Sequence, residues 1–307
     1  MLRPILAAAL ALSGGAARGG ADGASVLDGG DPTLIEADGR YRLYVTSGGT
    51  ALSSWSSKDL MTWRADGPLL RQSEIGWIGD DGAPRHSLWA PDMVRANGRW
   101  YFYYSVGPQT PTPSRLGVAT CDGPAGPCRD SGRPLLTGGK GFEAIDPMVF
   151  RDPASGRAYL YAGGSAGATL RVFELGSDMT TLAREVAVDQ PPHFTEGAFM
   201  HERHGTYYLS YSHGKWNDAS YQVHYATAHA PTGPWRYRGV LLKSDARYRG
   251  PGHHSFLHAR DGRWLIAYHR WEGKSDDGPY RGTRRIAIQP VTYAADGGIV
   301  PVVMTRR

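Results

Sequence analysis

The sequence predicts an all-β fold, a five-bladed β-propeller with four-stranded blades, and three observations carry that prediction. A strand–turn–aromatic-strand unit occurs five times: DPTLIEADGRYRLYVTSGG from Asp31, APDMVRANGRWYFYYSVG from Ala90, DPMVFRDPASGRAYLYAGG from Asp146, EGAFMHERHGTYYLSYSHG from Glu196 and HHSFLHARDGRWLIAYHR from His253. The units begin 50 to 59 residues apart, which is room for the four strands of one blade. Apolar residues alternate with period two, as in Trp100/Phe102/Tyr104 and Trp264/Ile266/Tyr268, and no helical period competes with this. A single blade leaves both faces uncovered, so five units must close on one another. A two-sheet sandwich would not need the repeat.

Each element follows in order. The hairpin turns end at Gly39, Gly98, Gly156, Gly205 and Gly262, where glycine supplies positive φ. The second half of every repeat supplies a further strand and an outer edge, in residues 52–70, 116–136, 170–188, 223–242 and 284–303. Cys121 and Cys128 flank the turn-rich spacer DGPAGP, a spacing suited to a local disulfide in an oxidising compartment.

The 307 residues carry 34 Lys+Arg against 29 Asp+Glu, a net charge of +5. The surplus is spread thinly, without a basic run or amphipathic basic helix, which argues against a nucleic-acid partner. At the N-terminus Arg3 precedes an apolar run from Ile5 to Leu12 and then small residues. This reads as an export signal over residues 1–21 ahead of one propeller domain, 22–307, and predicts a secreted or periplasmic protein. No later segment reaches the ~20 apolar residues of a membrane helix.

The innermost strand of each blade starts at the mouth of the central channel, so Asp31, Ala90, Asp146, Glu196 and His253 are expected to meet there, with Glu196 at the same repeat position as the aspartates. Three carboxylates and a histidine in one depression perturb one another's protonation, an arrangement active sites use. Asp-Pro alone, at Asp31-Pro32 or Asp146-Pro147, also opens ordinary turns; Glu-Gly at Glu196-Gly197 has no such role. Trp89, Trp77, Phe142 and Trp216 sit in neighbouring loops, and aromatic faces beside acidic groups suit a sugar. His201-Glu202-Arg203-His204 falls on a turn, not a helix, and is read as surface. Arg151-Asp152-Pro153 lies in the turn before Gly156 and not at a strand start, and its likeness to a catalytic motif is read as coincidence.

These residues resemble glycoside hydrolase family 43, five-bladed propeller enzymes that release arabinofuranose or xylose from plant polysaccharides. The resemblance runs through Gly30-Asp31-Pro32, Leu88-Trp89-Ala90-Pro91-Asp92, Ala144-Ile145-Asp146-Pro147, Thr195-Glu196-Gly197 and Gly250-Pro251-Gly252-His253-His254-Ser255, and so through nearly the whole chain. Ala198 departs from it, since many members have proline after Glu-Gly. The resemblance implies Asp31 as general base, Glu196 as general acid, and Asp146 as the residue that orients Glu196 and raises its pKa. It implies an arginine on the sugar or the acid, for which Arg284 fits best and Arg285 or Arg281 are alternatives. It implies no organic cofactor, and an axial histidine, here His253, near a water-coordinated calcium ion in many members; a metal-free, channel-filling histidine is the competing reading. The expected activity is inverting hydrolysis of the arabinofuranosidase or xylosidase type on a carbohydrate partner. An endo-arabinanase, a galactan-directed hydrolase or a non-catalytic sugar-binding propeller are the alternatives.

Overall fold

Five antiparallel sheets follow one another along the chain in a computed structural model that describes residues 16–18, 26–165 and 167–306. Blade 1 pairs Gly30–Ala37, Arg40–Ser47, Ala51–Ser57 and Thr62–Arg71. Ala16–Arg18 adds to its outer edge. Apart from that short strand, the expected export signal lies outside the described residues. Blade 2 pairs Ser87–Ala96, Arg99–Gly107, Arg115–Cys121 and Cys128–Asp130. Blade 3 pairs Met148–Arg151, Ala158–Ala162, Arg171–Leu175 and Leu182–Val186, and blade 4 pairs Glu196–Arg203, Thr206–His213, Gln222–Ala228 and Arg236–Leu242.

The last blade departs from the expectation. Tyr248–His258, Trp264–Glu272 and Arg285–Val291 are its own, but its fourth strand is Leu27–Asp28, from the other end of the chain. Residues 292–303 do not form the outer edge. A turn at Ala294–Gly298 sends them back over blade 4, where the Val302 N–H donates to Leu241 and the Tyr208 hydroxyl to Gly297. The chain ends thereby close the ring. The first strands of successive blades touch around it, as propeller closure requires.

Five hydrophobic clusters fill the seams, each drawn from two adjacent blades. Trp63 and Leu265 belong to the seam between blades 5 and 1, Phe102 and Leu52 to that between blades 1 and 2. Burial between blades, more than within them, therefore holds the fold together. Cys121 and Cys128 face each other across the outer ladder of blade 2 and form the disulfide. His201 corrects the surface reading of its motif. It is 6% exposed and stacks on Tyr208 and Phe256 in the seam between blades 4 and 5, while His204 stays exposed at the turn. Asp152 caps its turn through Ala154 and Ser155 and accepts from the Tyr207 hydroxyl.

Candidate active site

Four of the five blades start with an irregularity in the ladder that aims their side chains. The ladder between first and second strands slips between Gly30 and Thr33, Trp89 and Asp92, Glu196 and Phe199, and Gly252 and His254. At each blade start one residue takes left-handed backbone: Asp31 at φ 53°, Ala90 at 45°, Asp146 at 55°, Gly197 at 62° and His253 at 31°. A bulge of this kind bends the strand and turns one side chain out of the ladder. Asp31 and His253 are directed into the channel mouth in this way; Asp146 shares the left-handed backbone but stands two residues before its strand, where the ladder has no slip.

Glu196 is not at the same repeat position, which corrects the sequence reading. The left-handed residue of blade 4 is Gly197, and Glu196 pairs with Ser212 as Gly30 does with Thr46 and Trp89 with Ser105. Glu196 thus comes from one residue earlier than the aspartates. Space for it is made by Gly164, where a Cβ would lie 2.5 Å from that of Glu196.

These side chains line a pocket of about 340 Å³ with Trp89, Trp216 and Arg284. Trp216 is 47% exposed, and the Arg284 guanidinium lies 5.2 Å from its ring centroid. Two of the expected aromatic platforms are elsewhere. Trp77 is 3% exposed in the seam between blades 1 and 2, its Nε1 donating to Asp130 at 2.9 Å. Phe142 is buried in the seam between blades 2 and 3, beneath the Arg171 guanidinium at 4.6 Å. Both rings are spent on packing, because large apolar faces near blade seams gain more from burial there.

Arg284 holds Asp31 through two bonds, Nη1 to Oδ1 at 2.6 Å and Nη2 to Oδ2 at 3.1 Å. It therefore grips Asp31; the resemblance had implied the sugar or the acid. Burial works to raise the Asp31 pKa, but the charges of Arg284 and His253 overcome it and hold the carboxyl well below the usual range. Glu196 goes the other way: burial first, and then the Asp146 charge, push it up to about 7. Its Oε2 accepts from Ser165 at 2.7 Å and its Oε1 from the Tyr221 hydroxyl at 2.8 Å. One buried carboxylate is kept ionised and another kept protonated near neutrality, the division of labour that hydrolysis of a glycosidic bond requires.

Nδ1 of His253 lies 3.4 Å from Asp146 and 3.5 Å from Asp31. Burial would strip its proton, but the Asp146 and Asp31 charges push its pKa up to about 9. A cation facing two carboxylates does not fit a metal ligand, and calcium prefers oxygen donors. Among the described residues no group of three His, Cys, Asp or Glu side chains converges to hold an ion. His253 fits instead as an imidazolium between two acids.

Ser165, Tyr221 and His269 were not singled out in the sequence. Tyr221 precedes the third strand of blade 4, where the repeat pattern says nothing. His269 stacks on Tyr221 at 11° and accepts the Asp31 N–H at 3.2 Å; the only signal for it was its place at the end of the blade 5 aromatic strand. Tyr221→Phe removes a donor that favours ionised Glu196. A hydrogen bond to a charged group is worth about 1.5–3 kcal/mol, so the high-pH limb of kcat/KM should move upward while kcat falls roughly tenfold. A limb that stays or moves downward would contradict this placement.

The family model described as glycosyl hydrolases family 43 matches residues 25–299. A β-D-galactofuranosidase of Aspergillus niger is 34% identical over 90% of this chain and 82% of its own. An arabinoxylan arabinofuranohydrolase of Bacillus subtilis is 29% identical over 89% of this chain, which spans 62% of that protein. Among solved structures, a β-xylosidase/α-arabinofuranosidase from a compost microbial metagenome, in a calcium-free complex with xylotriose, superposes with a TM-score of 0.72 at 27% identity, covering 91% of this chain and 96% of the other.

Proposed function

The chain belongs to glycosyl hydrolase family 43, and we propose that it releases terminal L-arabinofuranose or D-xylose from plant-type glycans by an inverting mechanism. It is a glycoside hydrolase, and the reaction needs no organic cofactor. In this reading Asp31 takes a proton from the attacking water, and Glu196 gives one to the leaving oxygen. Asp146 keeps Glu196 protonated. The carrying observation is the opposite protonation of Asp31 and Glu196 within one pocket. The xylotriose complex of the metagenomic relative and the arabinofuranohydrolase of Bacillus subtilis support this substrate class. No step is routed through calcium, because the residues at His253 do not make a cage for it. Export of the protein belongs to the same proposal, supported by the leader-like residues 1–21 and the Cys121–Cys128 disulfide.

A second reading, a galactofuranosidase, is favoured by the 34% identity to the Aspergillus enzyme. The test is a side-by-side assay on nitrophenyl α-L-arabinofuranoside, β-D-xylopyranoside and β-D-galactofuranoside with linear arabinan. The proposal expects the largest kcat/KM on one of the first two. Preference for the galactofuranoside would install the second reading, and preference for arabinan an endo-acting one.

A further inference from the structure

At four of the five blade junctions one arrangement recurs. The backbone N–H of the left-handed residue donates to a side chain from the second strand of the preceding blade. Ala90 donates to Thr46 at 2.8 Å, Asp146 to Ser105 at 2.9 Å, His253 to Ser212 at 2.8 Å, and Asp31 to His269 at 3.2 Å. The exception is the junction into blade 4. There the matching position of blade 3 is Gly163, which has no side chain to offer, and the left-handed residue is Gly197. Glycine adopts this backbone without strain; Asp146 and Asp31 do not, and such strain persists only where the surroundings enforce it. The junction without a cross-blade bond is also the one that bears the acid. Glu196 is held through its carboxyl, by Ser165 and Tyr221.

We propose that Ser105 is a positioning residue for the reaction, acting through Asp146. Its buried hydroxyl fixes the Asp146 backbone, and thereby the distance from that charge to Glu196, which sets the pH at which the acid carries its proton. Ser212 and His269 do the same for His253 and Asp31. The inference rests on the roles proposed for Glu196 and Asp146. Without the hydroxyl, Asp146 relaxes away from the strained backbone and its repulsion of ionised Glu196 weakens. Glu196 then loses its proton at lower pH.

The test compares kcat/KM pH profiles and melting of the full chain for the wild type, Ser105→Ala, Ser105→Cys, Ser105→Thr and Thr46→Val, on the best nitrophenyl glycoside. Ser105→Ala should move the high-pH limb down by roughly half to one unit and lower kcat/KM about tenfold. Ser105→Cys, close in volume and a weaker acceptor, should move it the same way, and serves if the alanine variant does not fold. Ser105→Thr should keep the wild-type limb, since Thr46 already makes this bond at another junction. Thr46→Val removes the bond beside Ala90, which carries no ionisable group, and should lower melting without moving the limb. A wild-type limb near 7 that no Ser105 variant moves would leave Ser105 a packing residue and overturn the inference. A wild type with no limb near 7 would overturn the Glu196 assignment itself, and this inference with it.

Discussion

Glu196→Gln should lower kcat on glycosides with poor leaving groups by two to four orders of magnitude, the contribution of a positioned proton donor. Glutamine keeps the shape; its amide oxygen can accept from one of the Ser165 and Tyr221 hydroxyls while its NH2 donates to the oxygen of the other, so the fold should survive. What it lacks is a proton to give. The leaving oxygen must then depart as an alkoxide, which costs little only where that oxygen is already a stable anion. A dinitrophenyl glycoside should therefore recover most of the lost rate, whereas a disaccharide should not. The pH profile supplies an independent check. Glu196 carries its proton below about 7 and loses it above, so wild-type kcat/KM falls as pH rises through that value. In Glu196→Gln this limb should be absent. Folded Glu196→Gln that hydrolyses a disaccharide at the wild-type rate, or keeps the limb, would remove Glu196 from the acid role.

Most of this site was legible in the sequence, because propeller repeats put function at fixed positions. Asp31, Asp146 and His253 stand at matching positions of the repeat, and the repeat points them at one mouth. Glu196 does reach the same pocket, but from one residue earlier in the register than the sequence reading placed it. The period of a β-strand repeat is visible in sequence, whereas a bulge that shifts the pairing is not; only the neighbouring Gly197 hinted that the left-handed position lay elsewhere. Trp77 and Phe142 failed for a different reason. A large aromatic in a loop near the mouth reads the same whether its face meets sugar or a seam, and the seams between blades 1, 2 and 3 claimed both. Tyr221 and Ser165 reach Glu196 from outside the repeat's conserved geometry, so no spacing could have announced them. The closure by Leu27–Asp28 was hidden because residues 284–303 alternate well enough to supply a strand of their own, and only tertiary pairing decides between the two.

Asp31→Asn should cost as much as the loss of the acid, but with opposite responses. Asparagine preserves size and leaves Arg284 facing a neutral amide, so the water has no base. A better leaving group does not replace a missing base, and the dinitrophenyl glycoside should leave Asp31→Asn slow while it restores Glu196→Gln. Equal recovery of both would mean that the two roles are wrongly divided. The blade placement also leads to an expected stereochemistry. Asp31 opens blade 1 and Glu196 opens blade 4, blades that are not neighbours in the ring, and both line one pocket. A retaining nucleophile needs its carboxylate ~5 Å from the acid, whereas a base acting through water needs ~6.5–9.5 Å. Both Asp31 oxygens are also held by Arg284, which suits a fixed proton acceptor better than a group that must swing to bond carbon. Proton NMR in the first minutes of hydrolysis should show the anomer opposite to that of the substrate, before mutarotation mixes the two. First release of the same anomer, or a glycosyl adduct trapped on Asp31, would make Asp31 a nucleophile and end its assignment as base.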